Sequence, residues 1–474
     1  MLKAGSSAFY SNSFLIFIIR FFPSLANLLV ISWYAKMLPQ SVYGDYSHFW
    51  IQLSVFYPLI CFGIHMLAIT YPPALLSRLV NALLKRHFVL FGIWAVAIGS
   101  AFAALQWLKT GIPFIIPFCF IICYAFTFIL ESFLIVYSSF KTLIVTNVIY
   151  SAAYWLVHLY VLKNSFSLVA LFAYLLVVVI VRMLVYLFVA FRSHSSFPVA
   201  GNRETVEKLN IKTLWLHLAL YDVVQNASVW IDKFIISLVL SSGMSAIYYN
   251  GAQNVPFLPL ILSAAASAAL MQMAGVQHQE SENIRALMNK TGKVLSCIVF
   301  PVFFCLFFYR QEVIIGLFSV KYVAAVPVFM VSLLVLPVRA YSFTTVLQRM
   351  HKGAVITAGA IGEIVLALLL MYPLYRLAGL PGVALSFVIS TYLQAAYYIV
   401  KTASLLHVPV WAILPLKNWL IKFTVTGIII WIVHYACSEY PWWLSLGMGA
   451  ASMTVIILSM LYYEICYTGG RGKA

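Results

Sequence analysis

Leu214–Val239, LWLHLALYDVVQNASVWIDKFIISLV, is long and apolar enough to cross a bilayer, yet it carries Asp222, Gln225, Asn226, Asp232 and Lys233. At the helical period these five side chains fall within roughly 120° of one face. Three ionised groups in one span are costly in hydrocarbon, so the face must meet water, a counter-charge or a polar ligand. A helix–helix contact with internally paired charges is one solution. A polar cavity that this helix lines, with the other spans arranged around it, is the favoured one.

The rest of the chain has the composition of a bilayer protein. Of 474 residues, 64% are hydrophobic and 9% charged. Soluble domains carry about 25% charged residues. About 14 apolar stretches of span length can be marked, and the chain is expected to be an all-α polytopic membrane protein. The net charge of +17 comes from basic residues spread thinly over short loops, with no dense patch for nucleic acid. With the N-terminus in the cytoplasm, roughly 18 Lys/Arg lie inside, about 6 outside and about 5 within spans. An even span count puts the tail with Arg471 and Lys473 inside too. The cysteines sit almost all in apolar spans without His or carboxylate neighbours, so no metal site is expected. Lys3 precedes an apolar run that Arg20 interrupts, and no small-residue cleavage pattern follows. The first span is therefore expected to stay as an uncleaved anchor.

Along the chain, the spacing predicts a first lobe of six spans over 1–192, a cytoplasmic connector over 193–212 and a second six-span lobe over 213–403. Two additional spans and a tail cover 404–474. The first span places Arg20, Ser24 and Asn27 on one face, with Pro23 loosening the backbone beside Arg20. The second, about His48 to Thr70, contains Pro58 and His65. Glu131 lies in the fourth, Arg182 near the middle of the sixth, Arg339 in the tenth (Val323–Val346) and Glu363 in the eleventh. The eighth, Ala246–Met273, carries the small-residue run Ser263–Ser267, which lets helices approach closely. The last two spans read as peripheral, nearly free of buried charge, with Lys422 as a snorkelling anchor. A constant shift pairs Leu38 with Leu240, Tyr46 with Tyr248, Arg20 with Asp222 and Ser24 with Asn226. That weak repeat suits two parallel halves related by an axis along the membrane normal.

Three segments resemble a known family. The outer turn Trp33-Tyr-Ala-Lys-Met-Leu-Pro39-Gln-Ser-Val-Tyr-Gly44-Asp45-Tyr46 is similar to the turn after the first span of polysaccharide transporters. These are the Wzx-type flippases of the multidrug/oligosaccharidyl-lipid/polysaccharide superfamily. Trp230-Ile-Asp232-Lys233-Phe resembles the family's charged stretch in span seven. Leu377-Ala-Gly379-Leu-Pro-Gly382-Val-Ala384 resembles its approach to span twelve. Leu377 replaces the usual Tyr, and Ala246 stands where the repeat wants Gly. The resemblance implies two six-helix lobes that open alternately to each side. It implies an undecaprenyl-diphosphate-linked oligosaccharide as substrate, moved to the outer leaflet of a bacterial inner membrane for O-antigen, capsule or another surface glycan. A glycan polymerase and a chain-length regulator are the implied partners.

For such a substrate, cations must meet the diphosphate, and Arg20, Lys233, Arg182 and Arg339 are the candidates. Asn27, Gln225 and Asn226 suit sugar hydroxyls. Asp222, Asp232, Glu131 and Glu363 would pair with the cations in the empty site or bind a coupling H⁺ or Na⁺; no other cofactor is expected. Each has a plainer alternative. Arg182 can be paired within its own lobe, Arg339 can snorkel, and Glu131 and Glu363 can be protonated structural hydrogen-bonders. His65, His158, His217 and His434 read as core or interface residues. Arg20 and Asp222 are expected to face each other across the cleft between lobes. A cation-coupled drug antiporter and a lipid II flippase share the architecture. A membrane glycan polymerase or ligase would need catalytic groups outside, where only Asp45, Glu312 and Glu439 lie on short loops, so no catalytic residues are assigned.

Overall fold

The computed structural model describes residues 2–71, 73–82, 85–164, 166–195, 211–253, 258–259, 261–262, 269, 281–350 and 352–464. The connector expected over 193–212 lies largely outside these residues. So do the Ser263–Ser267 run, Cys466 and the tail with Arg471 and Lys473. Among the described residues the protein is helical and contains no strand. The chain forms two compact units, Met1–Ser245 and Ala246–Ala474.

The first unit contains α1 (Leu2–Met37), α2 (Gln40–Cys61), α3 (Ile64–Thr70), α4 (Pro73–Ala82), α5 (Lys85–Thr110), α6 (Ile115–Val136), α7 (Phe140–Lys163), α8 (Leu168–Ser195) and α9 (Ile211–Val239). Helix α10 (Ser242–Gly251) runs across the division. Helices α6 and α8, α1 and α7, and α2 and α9 pack against one another. Lipid tails are as apolar as the side chains, so close packing rather than escape from water holds such helices together. Phe49, Phe102, Phe120 and Phe172 are fully buried, and Phe49 stacks on Phe172 with centroids 3.7 Å apart. At Gly44 the backbone of Ser242 comes so near that a Cβ there would collide with it.

The second unit contains α11 (Ser281–Phe308), α12 (Arg310–Phe318), α13 (Val326–Leu333), α14 (Thr344–Arg349), α15 (Gly353–Ala378), α16 (Leu380–Leu406), α17 (Leu416–Ala436) and α18 (Trp442–Tyr463). Helices α15 and α16 pair, and α11 carries α17 and α18.

Eleven described helices are long and apolar enough to cross a membrane, and twelve if α2 and α3 form one bent span. Helix α9 is not among them, because its polar face offsets its apolar residues. The expected eighth span lies mostly outside the described residues. Three expected spans differ from continuous helices; the ninth, Val294 to Phe318, is divided at Tyr309 between α11 and α12. The second is broken at Phe62–Gly63, with a bend of 56° between α2 and α3. Pro58 cannot donate a backbone hydrogen bond, and Phe62 (φ 38°) and Gly63 (φ 70°) turn left-handed. The tenth is interrupted: a tight helical turn at Val320–Ala325 precedes α13, and another at Pro337–Ala340 carries Arg339.

Candidate functional site

The break between α2 and α3 leaves carbonyls that lack helical partners, and a buried orphan carbonyl is costly. Two tryptophans satisfy them. Trp94 Nε1 of α5 donates to Leu59 O at 2.8 Å, and Trp215 Nε1 of α9 donates to Phe62 O at 2.8 Å. Gly63 lies against the backbone of Ala219, so α9 approaches the break itself. Just beyond the Gly63–Ala219 contact, His65 Nε2 of α3 meets Asp222 Oδ1 of α9 at 3.3 Å. Asn226 Nδ2 donates to the same oxygen at 3.1 Å and to Asp222 O at 2.9 Å. Next on the α9 face, Gln225 is exposed.

The Asp222 carboxylate therefore meets His65 and Asn226, in place of the expected Arg20. Arg20 and Asp222 belong to the same compact unit, and Tyr57 feels the charge of both. Arg20 is exposed on α1, with Ser24 and Asn27 exposed on the same face, and forms no ion pair with a described residue. Its guanidinium is open to an anion. Asn27 Oδ1 accepts from Tyr154 OH at 3.3 Å. Behind it Tyr46 OH touches both Tyr154 OH and His158 Nε2 at 3.2 Å, and His158 Nδ1 meets Tyr154 O at 2.7 Å. A carbonyl only accepts, so Nδ1 carries the proton and Nε2 accepts from Tyr46.

Glu131 and Arg182 come together, as the plainer alternative for Arg182 holds. Arg182 Nη2 donates to Glu131 Oε2 at 2.9 Å, and its guanidinium lies 4.4 Å from the Tyr150 ring centroid. Tyr186 OH donates to Asn147 Oδ1 at 2.8 Å, and Asn147 Nδ2 to Ile19 O at 3.0 Å. This network ties α6, α7 and α8 to α1, one residue from Arg20. Asp232 and Lys233 are neighbours and pair with each other at 3.3 Å, both buried, with Lys233 also donating to Val229 O.

In the second unit Glu363 accepts from Thr391 Oγ1 at 2.7 Å and Gln394 Nε2 at 2.8 Å, and it feels the charge of Arg339. Arg339 is exposed. Lys422 does not snorkel. It is buried, with Nζ 2.8 Å from Glu464 Oε1 and 2.7 Å from Lys293 O, so the last two helices carry a buried charge pair. His65 and Glu464 are the residues missed by sequence reasoning. Pro58 and Gly63, close together in an apolar run, signal a break just before His65. Glu464 falls where Lys422 needs an anion, but nothing in its own neighbourhood marks it.

Residues 116–327 match the profile of a family described as polysaccharide biosynthesis protein. The fold is similar to that of the lipid II flippase MurJ in an inward closed conformation, with TM-score 0.67 and 15% identity over 94% of this chain and 98% of that one. It is similar to an inward-facing multidrug resistance MATE family transporter of the MOP superfamily, with TM-score 0.56, 14% identity, and coverage of 81% and 95%. A MOP superfamily transporter from Pyrococcus furiosus gives TM-score 0.56 and 12% identity, with coverage of 83% and 94%. No curated protein sequence matches the chain.

Proposed function

We propose that this chain, a multi-pass membrane protein of the polysaccharide transporter family with the MOP-superfamily fold, flips undecaprenyl-diphosphate-linked oligosaccharide across a bacterial inner membrane. The termini face the cytoplasm in this reading, as the Lys/Arg asymmetry favours. The observation that carries it is Arg20: an arginine exposed within a membrane-spanning helix, flanked by Ser24 and Asn27, with no described counter-ion. Such a charge in hydrocarbon is costly unless a polar ligand or water meets it. A diphosphate supplies oxygens that match the guanidinium fork. Ser24 and Asn27 offer hydrogen bonds to sugar hydroxyls, each of which costs about 1–3 kcal/mol when desolvated without a partner. The prenyl tail can stay in lipid throughout. Glu131–Arg182 and Asp232–Lys233, already paired, hold the architecture around this face. The solved structures of similar fold are described as a flippase and as transporters, and the chain is read as a transporter, not as an enzyme.

The test is in whole cells. Deleting the gene is expected to trap the lipid-linked repeat unit on the cytoplasmic face, invisible to a membrane-impermeant sugar label. Wild type restores labelling and Arg20→Ala does not. Repeat units that reach the outer face unpolymerised would point to a polymerase. Accumulation of lipid II in place of the repeat unit would point to lipid II flipping, and an unchanged glycan to a drug or ion antiporter.

A further inference from the structure

Where α11 meets the start of α17, the second unit holds a cavity of about 510 Å³. Sites for small molecules run from about 300 to 1,000 Å³. Its wall includes Asn289 and Lys293 of α11, Trp411 in the tight helical turn Val410–Ala412, and Lys417, Asn418 and Ile421 of α17. Two hydrogen bonds hold the wall together. Trp419 Nε1 donates to Gly292 O at 3.1 Å, and Lys422 Nζ donates to Lys293 O at 2.7 Å.

The charges on this wall do not balance. Lys293 and Lys417 each lack an ion partner among the described residues. The carboxylate at this seam is already engaged: Glu464 Oε1 takes Lys422 Nζ at 2.8 Å and Asn418 Nδ2 at 3.1 Å. The start of α17 adds to the imbalance. Pro415 gives it no side-chain cap, and its first turn carries a lysine and no acid. Two ammonium groups beside an uncapped helix start call for an anion. The amides define the rest of the ligand. Asn289 Oδ1 and Asn418 Oδ1 are buried with no hydrogen-bond partner among the described residues. Both are acceptors, so both call for donors. A fitting ligand therefore joins a negative charge to free hydroxyls.

The surroundings are those of a bilayer edge. Lys293 is the last charge before the apolar run Val294–Phe308. Trp411 is 74% exposed, and an indole settles at the headgroup level. Leu420 and Ile421 are exposed on α17 beside the cavity.

We propose that this cavity binds the headgroup of a phosphatidylglycerol-type phospholipid. Its phosphodiester lies between Lys293 and Lys417, its glycerol hydroxyls donate to Asn289 and Asn418, and its chains run along Leu420 and Ile421. Basic pockets between spans hold anionic headgroups in this manner. A zwitterionic headgroup would set its own ammonium beside the two lysines, and phosphatidic acid lacks the glycerol hydroxyls. The bound lipid would fasten α11 to α17 next to the Lys422–Glu464 pair. This assignment goes beyond the transport reading and does not rest on it.

The experiment is native mass spectrometry of the full chain in detergent. Phosphatidylglycerol, phosphatidylethanolamine and phosphatidic acid are added in turn at equal mole fraction, with glycerol 3-phosphate as the water-soluble control. One phosphatidylglycerol is expected to stay bound, in preference to the other two lipids. Its retention should weaken about fivefold in Lys293→Gln and again in Lys417→Gln. Lys290→Gln, at an exposed position of α11 outside the cavity, should match wild type. Asn289→Leu should narrow the advantage over phosphatidic acid, because it removes one hydroxyl acceptor. Lys417 is exposed, so Lys417→Gln decides the matter if Lys293→Gln does not fold. Phosphatidylethanolamine retained equally well overturns the proposal, and so does a Lys417→Gln variant that keeps phosphatidylglycerol as wild type does. Glycerol 3-phosphate bound as tightly as the lipid would make this a site for free phosphates and overturn the lipid assignment. Displacement by an equal amount of undecaprenyl phosphate would give the cavity to the prenyl substrate and overturn it too.

Discussion

Glu131 lies in a run of aromatic and aliphatic residues, and its ion partner among the described residues is Arg182 on another helix. Removing one partner of a buried ion pair strands the other, at a cost of about 3–5 kcal/mol. Glu131→Ala is therefore expected to lower the unfolding temperature in detergent markedly, and Glu131→Met with Arg182→Met to recover most of it. A double variant as unstable as the single would show that the pair is not the source of the effect. Arg20 behaves differently, because it has no described partner to strand. Arg20→Ala should leave stability near wild type while reducing flipping by about ten- to a hundred-fold, the value of a hydrogen bond to a charged group. Thermal unfolding and impermeant sugar labelling separate the two effects. Exchanging the charges of Arg20 and Asp222 is expected to leave the protein inactive, because the carboxylate it would displace is bonded to His65 and Asn226. Recovery of activity in that double variant would restore the direct pairing.

At the scale of elements, the break after α2 is the clearest case of a helix end held by side chains from other helices. Trp215→Phe keeps the ring and deletes the N–H that caps Phe62 O. It should cost about 1–3 kcal/mol, read as a lower midpoint in thermal unfolding, whereas phenylalanine at the exposed Trp107 should cost little. Helices α17 and α18 offer the second case. Lys422→Met removes the ammonium from Glu464 and from Lys293 O, and should loosen both helices from α11. Faster proteolysis confined to residues 410–464 would bear this out, and uniform protection would count against it. The motif positions also find their physical reasons here. Gly44 of the outer turn is small because the Ser242 backbone occupies the space a side chain would need. Asp45 beside it accepts a hydrogen bond from Ser242 Oγ.

Over the whole molecule, what the sequence made legible was whatever depends on periodicity and charge. Span positions followed from apolar length, since hydrocarbon admits little else. Pairings across helices were less legible. Glu131 and Arg182 stood out as charges in the fourth and sixth spans, but that they meet each other is the structure's finding. That Asp222 meets His65, and Lys422 meets Glu464, depends on a bend and on helix rotation, which no local pattern encodes. The division of Lys and Arg between loops remains the sequence's own prediction of orientation. Single cysteines placed at Lys352 and at Lys163 should label from opposite sides of the membrane, Lys163 from outside in intact cells. Labelling of both from one side would overturn the assigned topology.

The bend between α2 and α3 has one more consequence. Its two orphan carbonyls are capped by indoles, and indole emission depends on whether its N–H is bonded. The joint therefore carries its own fluorophores. Straightening or deepening of the bend would release Trp94 or Trp215 and alter the emission, with no foreign dye attached. Comparison with Trp215→Phe would isolate that one lamp.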